Sequence, residues 1–244
     1  MKYLKYGLLT LLLLVVLFVL YLALFVHESR PTIVDNVDVN AKKAQIFKAV
    51  DKPAWDTLSY IKWNFAGRHS FVWDRINNDA LVKWEDYTVH LDPDEVRGVA
   101  YKGDAKIEGD EATKLVQDAW SYWCNDMFWL SAPYKIEDKG TKLAWAKDSE
   151  DKEGLLVTYN SGGVTPGDSY LWFFDENGTP TGYKMWVDII PIGGVYFSWD
   201  EWKKLEGGAK VSTLHKGIMD INITDLAAGD EWKDLGFSSS PIKL

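Results

Sequence analysis

Arg68, His69, Asp74 and Arg75 form the densest group of reactive side-chain types in the chain. A base beside a carboxylate is the minimum for acid–base catalysis. No activated nucleophile such as a Gly-x-Ser-x-Gly elbow accompanies them, and a solvated strand edge explains the same residues. The other histidines, His27, His90 and His215, are far apart and have no zinc-ligand spacing. Ser161 to Asp168 is rich in glycine but lacks the Gly-Lys-Ser/Thr ending of a phosphate loop, and it reads as a β turn. The sequence therefore predicts no enzyme, no metal and no cofactor.

The unusual feature is aromatic content, with 13 Trp, 12 Tyr and 10 Phe in 244 residues. A tryptophan buries roughly 150–250 Å², so most of these rings are expected in the core and a few against a ligand. Trp73 and Trp84 on a first hairpin, Trp123 and Trp129 near the second helix, and Trp172 and Trp186 on a later hairpin are the candidate ligand-contacting residues. In Tyr183–Ile190, Tyr183, Met185, Val187 and Ile189 make one apolar face. Lys184, Trp186 and Asp188 share the opposite face with Ile190, and such a mixed face suits solvent or an amphipathic ligand.

Periodicity supplies the elements that would position them. Trp55, Leu58, Ile61 and Phe65 recur at three- and four-residue spacing and predict a helix over Ile46–Phe65, with Pro53 as a turn or break and Gly67 as its stop. Phe71 to Ile76 and Leu81 to Leu91 alternate and predict a hairpin, with Arg97–Lys102 a further short strand. Asp110 is the expected cap of a second helix, whose stripe is Leu115, Val116, Ala119, Trp120, Trp123, Cys124 and Met127. Beyond Pro133 the period falls to two. Strands are expected at Leu143–Ala146, Leu155–Asn160, Tyr170–Phe174, Tyr183–Ile190, Val195–Trp199 and Lys210–His215. Asn177-Gly178 closes the clearest hairpin.

Gly7 to Val26 is an uncharged run of about the length that spans a bilayer core, and Lys2 and Lys5 precede it. This predicts residues 1–30 as a cytoplasmic stub and transmembrane anchor. Residues 31–244 would then be one domain facing the periplasm or cell exterior, in a single-pass inner-membrane protein. A cleaved signal peptide is the rival, but Leu24, Phe25 and Val26 stand where small residues would mark a cleavage site. Without Lys2, Lys5, Glu28 and Arg30 the domain has 24 basic and 35 acidic residues, a net charge of -11, which argues against a nucleic-acid partner. A single cysteine, Cys124, forms no internal disulfide and is expected as buried packing. Oligomeric state leaves no signature.

An early amphipathic helix, a hairpin, a second helix ending in aromatics and a long antiparallel meander resemble the outer-membrane lipoprotein carriers of the LolA-like half-barrel fold. The resemblance rests on Trp63 to Asp74, on Asp118 to Trp123, and on Tyr170 to Phe174 leading into Asn177-Gly178. It implies an α+β fold in which an antiparallel incomplete β-barrel, closed by two helices, surrounds an apolar cavity. It also implies a lipid or other hydrophobic ligand, in cell-envelope lipid or lipoprotein handling. The alternative is a glycan-binding or cell-envelope interaction module without catalysis. A lipid binder buries its aromatics around a closed cavity, whereas a glycan binder exposes Trp beside Asp or Asn.

Overall fold

After α1 (Lys2–Tyr21) and a two-residue strand, β1 (Thr32–Ile33), the side chain of Asp38 accepts from the Ala41 amide at 3.0 Å and starts α2 (Val39–Val50). Asp51 ends it. Its backbone is left-handed, with φ 59°, while its carboxylate accepts from Ala54 N and starts α3 (Lys52–Thr57). One aspartate thus terminates one helix and caps the next. The computed structural model describes residues 2–21, 26–161 and 166–244.

The predicted helix over Ile46–Phe65 is corrected here. From Tyr60 onward the chain is a strand, β2 (Tyr60–Phe65), in which Ile61, Trp63 and Phe65 are buried and their neighbours are not. The apolar positions 55, 58, 61 and 65 satisfied a helical period only because the last two also satisfy a period of two. The meander continues through β3 (His69–Asp74), β4 (Asp79–Trp84), β5 (Tyr87–Asp92), β6 (Arg97–Lys102) and β7 (Ala105–Ile107). The single strand expected over Leu81–Leu91 is therefore two, folded back at Glu85-Asp86, with Glu85 at φ 47°. α4 (Gly109–Ser131) follows and has Asp110 in its first turn; the cap position is Glu108, whose side chain makes no capping bond.

The second half runs through β8 (Thr141–Lys147), β9 (Glu153–Tyr159), β10 (Ser169–Phe174), β11 (Pro180–Trp186), β12 (Val195–Ser198), β13 (Asp200–Lys204), β14 (Lys210–His215) and β15 (Ile221–Gly229). All pairings are antiparallel. One sheet has six strands in the order β1-β8-β9-β10-β11-β12, and the other has nine in the order β13-β14-β15-β2-β3-β4-β5-β6-β7. The chain changes sheets at Trp199, where Ser198 N donates to Lys216 O at 2.8 Å and Trp199 N donates to Thr181 O at 3.0 Å. The strand expected over Tyr183–Ile190 ends at Trp186, which leaves Ile189 68% exposed.

Among the described residues neither sheet closes on itself, so the expected single incomplete barrel closed by two helices is replaced there by two open sheets with four α-helices. Helix α4 bridges them. Its Trp123 packs on Trp63, Phe71 and Trp73 of the nine-stranded sheet, while Phe128 and Trp129 pack on Tyr170 and Tyr183 of the six-stranded one. One continuous apolar core joins both.

The membrane anchor is also corrected. Among the described residues no helix is long and apolar enough to cross a membrane. The signal-anchor reading and the single-pass inner-membrane placement are therefore not supported by the described residues. Residues 22–25, inside the expected span, and 162–165, inside the expected turn of Ser161–Asp168, lie outside the described residues.

The segment after α1 is held to the six-stranded sheet by charge. Lys184 Nζ lies 2.9 Å from Glu28 Oε2 and 2.7 Å from Asp148 Oδ2, with the Asp148 carboxylate fully buried. Burial works against both charges. Lys184 and the amides of Lys152 and Glu150 nevertheless hold Asp148 below the usual carboxylate range, and Asp148 and Glu28 hold Lys184 above its ordinary value. Removing the shared cation leaves two acids facing each other, one of them buried. Lys184→Ala is therefore expected to cost about 3 kcal/mol in chemical denaturation. A loss below about 0.5 kcal/mol would show the cluster to be solvated in practice.

Candidate functional site: the aromatic interior and the α2 cleft

The six sequence-predicted tryptophans do not share one chamber. Trp73, Trp84 and Trp123 gather at one end of the interior. Trp123 meets Trp73 edge-on at 5.0 Å, and Trp84 packs on Tyr122 of α4 at 5.4 Å. Trp73 is half-buried and donates from Nε1 to Asn78 Oδ1 at 3.0 Å. Trp129 and Trp172 stand at the other end, where both contact Tyr183. Trp186 lies on the opposite face of the six-stranded sheet with Ala146, Leu171 and Phe173, and its Nε1 donates to Glu28 O at 2.8 Å.

Several ring heteroatoms of this interior have no hydrogen-bond partner: Trp63, Trp172 and Trp199 Nε1, and the hydroxyls of Tyr159 and Tyr183. They have essentially no accessible surface, so no water-sized void adjoins them. Magnitudes explain why the fold tolerates this. An unmade bond costs about 1–3 kcal/mol, whereas burying 150–250 Å² of ring at about 25 cal/mol per Å² contributes about 4–6 kcal/mol. Packing alone accounts for the aromatic excess. An acyl chain among these rings would require α4 and the sheets to separate.

The Arg68, His69, Asp74 and Arg75 group is dispersed. Asp74 closes its own turn by accepting from Ile76 N, Asn77 N and the Asn77 side chain. Arg75 stacks over Trp55 and Trp73 at 4.6 and 5.0 Å and donates to the carbonyls of Trp55 and Leu58. His69 pairs with an acid from outside the group: its Nδ1 lies 2.6 Å from Oδ2 of Asp126 on α4, whose other oxygen accepts from Asn125. Tyr122 stacks on the imidazole at 4.0 Å. The pair ties α4 to β3. Among the described residues no three His, Cys, Asp or Glu side chains gather in a way that could hold a metal ion.

The interior is lined instead by groups kept neutral. Cys124 is half-buried, and burial pushes its thiol up to about 11, which favours the protonated form at neutral pH. His215 contacts Trp129 and Trp199 at 5.3 and 4.4 Å. Burial pushes it down to about 4, and among the described residues neither ring nitrogen meets a hydrogen-bond partner in good geometry that would hold a proton there.

An open cleft of about 250 Å³ lies between α2 and the rim of the six-stranded sheet. Trp145 and Phe174 supply aromatic surface. Lys42, Gln45, Glu153, Asp175 and Glu176 surround it with donors and acceptors. Trp145 Nε1 donates to Glu153 Oε2 at 2.7 Å, and Lys42 Nζ stands 5.1 Å from the Trp145 ring centre. The β10–β11 turn is pressed onto α2, where Gln45 Nε2 donates to Glu176 O at 2.9 Å. Gly178 makes this approach possible, since its φ is +87° and a Cβ there would lie 2.9 Å from Gln45 O. Sequence reasoning singled out Asn177-Gly178 as a turn but not Trp145. On β8 Trp145 looks like any strand tryptophan until α2 is folded beside it.

The chain matches no protein-family model and no curated protein.

His215 sets a measurable pH dependence. Its folded value is depressed below the unfolded value near 6.5, so between about pH 6.5 and 4 the unfolded chain binds the proton that the folded chain refuses. Stability should fall on acidification through that window by up to about 3 kcal/mol. Chemical denaturation at pH 7.5 and 4.5 should show a smaller acid loss in His215→Leu than in the parent. Equal losses would mean that the ring is hydrated in the folded state.

Proposed function

We propose that the chain is a non-catalytic binding module that takes a polar, ring-shaped ligand, of the size of one sugar residue, in the cleft beside α2. The observation that carries this reading is the half-buried Trp145, with Glu153 hydrogen-bonded to its indole and Lys42 over its ring, lining an open cleft of about 250 Å³. A flat ring packs on the C–H side of a sugar once the Lys42 side chain moves off it, while the surrounding side chains offer both donors and acceptors to the sugar hydroxyls. Small-ligand sites have this composition, an apolar platform with a few placed polar groups.

Catalysis is not part of the proposal. Glu153 holds the Trp145 indole, and Asp175 Oδ1 accepts from Asn177 N and Thr179 N, so both acids already shape the cleft. The lipid handling implied by the LolA-like resemblance would draw on the aromatic interior instead. The unpartnered ring donors there could serve the oxygens of an acyl ligand. It is the second reading, because the α2 cleft is open and the interior is filled.

Calorimetric titration of the full chain with glucose, galactose and N-acetylglucosamine tests the first reading. At least one should bind at millimolar or better affinity, with Trp145→Ala weakening it at least tenfold and leaving the fold intact by circular dichroism. Gly178→Ala should also weaken it, by forcing the turn off α2, and should cost about 1–3 kcal/mol of stability. Absence of binding across the panel, together with an acyl lipid copurifying in native mass spectrometry, would replace the first reading with the second.

A further inference from the structure

The outer face of the nine-stranded sheet carries an apolar row. Val72, Leu81, His90 and Val99 stand directly across from one another on β3, β4, β5 and β6. The chain beyond β15 folds back over this row. Asp230 accepts from Ser59 N and Oγ, and a single 3-10 turn, Trp232–Leu235, places Trp232 against Tyr60 at 4.0 Å and buries Leu235 with Val72 and Leu81. Gly236, with φ 85°, turns the chain so that Phe237 and Ile242 join the same cluster.

Beyond Phe237 the segment is held differently. Its hydrogen bonds are a local pair between Ser240 and Ile242 and one long-range bond, in which the Lys243 amide donates to His90 Nδ1 at 3.0 Å. A histidine that accepts at Nδ1 carries its proton on Nε2, and a second proton can enter only at the nitrogen that holds Lys243. Protonation and this bond are mutually exclusive.

We propose that His90 is a proton-operated latch that holds residues 238–244 over the apolar row at neutral pH and releases them on acidification. The imidazole is 6% exposed, with the Tyr101 ring of β6 edge-on at 5.6 Å. Lys83 of β4 and Lys243 of the segment itself are the charges that act on it, and both are cations. Burial first, and then these two lysines, lower its affinity for a proton. The latch is therefore closed at neutral pH and opens below the ordinary histidine range. When it opens, the new imidazolium repels the Lys243 that it previously held. Ile242 loses its tether, while Leu235 and Phe237, fixed by the turn, by Asp230 and by the bond from Phe237 N to Trp232 O, stay.

Amide hydrogen exchange of the full chain, followed by NMR from pH 7.5 to 4.0 and corrected for intrinsic rates, tests this. The Lys243 amide should lose at least tenfold in protection as the His90 ring titrates, with the amides of Asp234, Gly236 and Phe237 unchanged. His90→Gln, whose carbonyl accepts but does not titrate, should keep the segment closed at every pH, and His90→Phe should leave it open at every pH. Constant Lys243 protection in the parent would overturn the latch. So would an equal acid loss in His90→Gln, which would assign the release to another group. The parent and His90→Gln decide the matter even if His90→Phe fails to fold.

Discussion

Two open sheets share one helix, and the gap that a single helix leaves between two sheets must be filled from side chains alone. Wide rings on α4 and on both sheets fill much of it, because each reaches far from its backbone and still packs edge or face against the next. The layer of Trp63, Phe71, Trp73 and Trp123 at one end, and of Trp129, Trp172, Tyr183 and Trp199 at the other, meets this requirement. The unpartnered indole and phenol groups follow from it, since rings chosen for reach bring their polar atoms into places where no acceptor stands.

Polar interactions act at the margins of this layer. Tyr134 donates to Val50 O, accepts from Lys210 N and stacks on Trp55 at 4.3 Å, so it joins the end of α2 to β14 where the aromatic layer runs out. Asp126 and His69 join α4 to β3, and Lys184 joins Glu28 to Asp148. Each of these is specific in geometry where the ring contacts are tolerant. They fix the relative placement of elements that the rings alone would allow to slide.

What could be read from the sequence follows the reach of each signal. Arg97–Lys102, Lys210–His215 and the 109–131 helix were legible because each carries its own period and its own ends. The 46–65 segment was misread because Ile61 and Phe65 fit two periods, and the deciding event, the left-handed turn of Asp51, is a backbone property with no hydrophobic signature. The paired sheets were invisible because nothing in the composition marks Trp199 as the residue at which a meander changes sheets. The same holds for the sites. Asp126 is 57 residues from His69, and Trp145 acquires its cleft only when α2 packs beside β8, so local motifs could announce neither.

The pairing of β2 with β15 sets a timetable for making this protein. Most strands meet a neighbour adjacent in sequence, so the β2–β7 meander can form soon after it is synthesised. β2 cannot complete its ladder until residue 229 exists. Throughout synthesis of the second half, the strand carrying Ile61, Trp63 and Phe65 presents an open edge to whatever strand it meets first. Closing so distant a pair is the entropically slow step. An aromatic strand edge therefore stays open for as long as it takes to translate the other sheet.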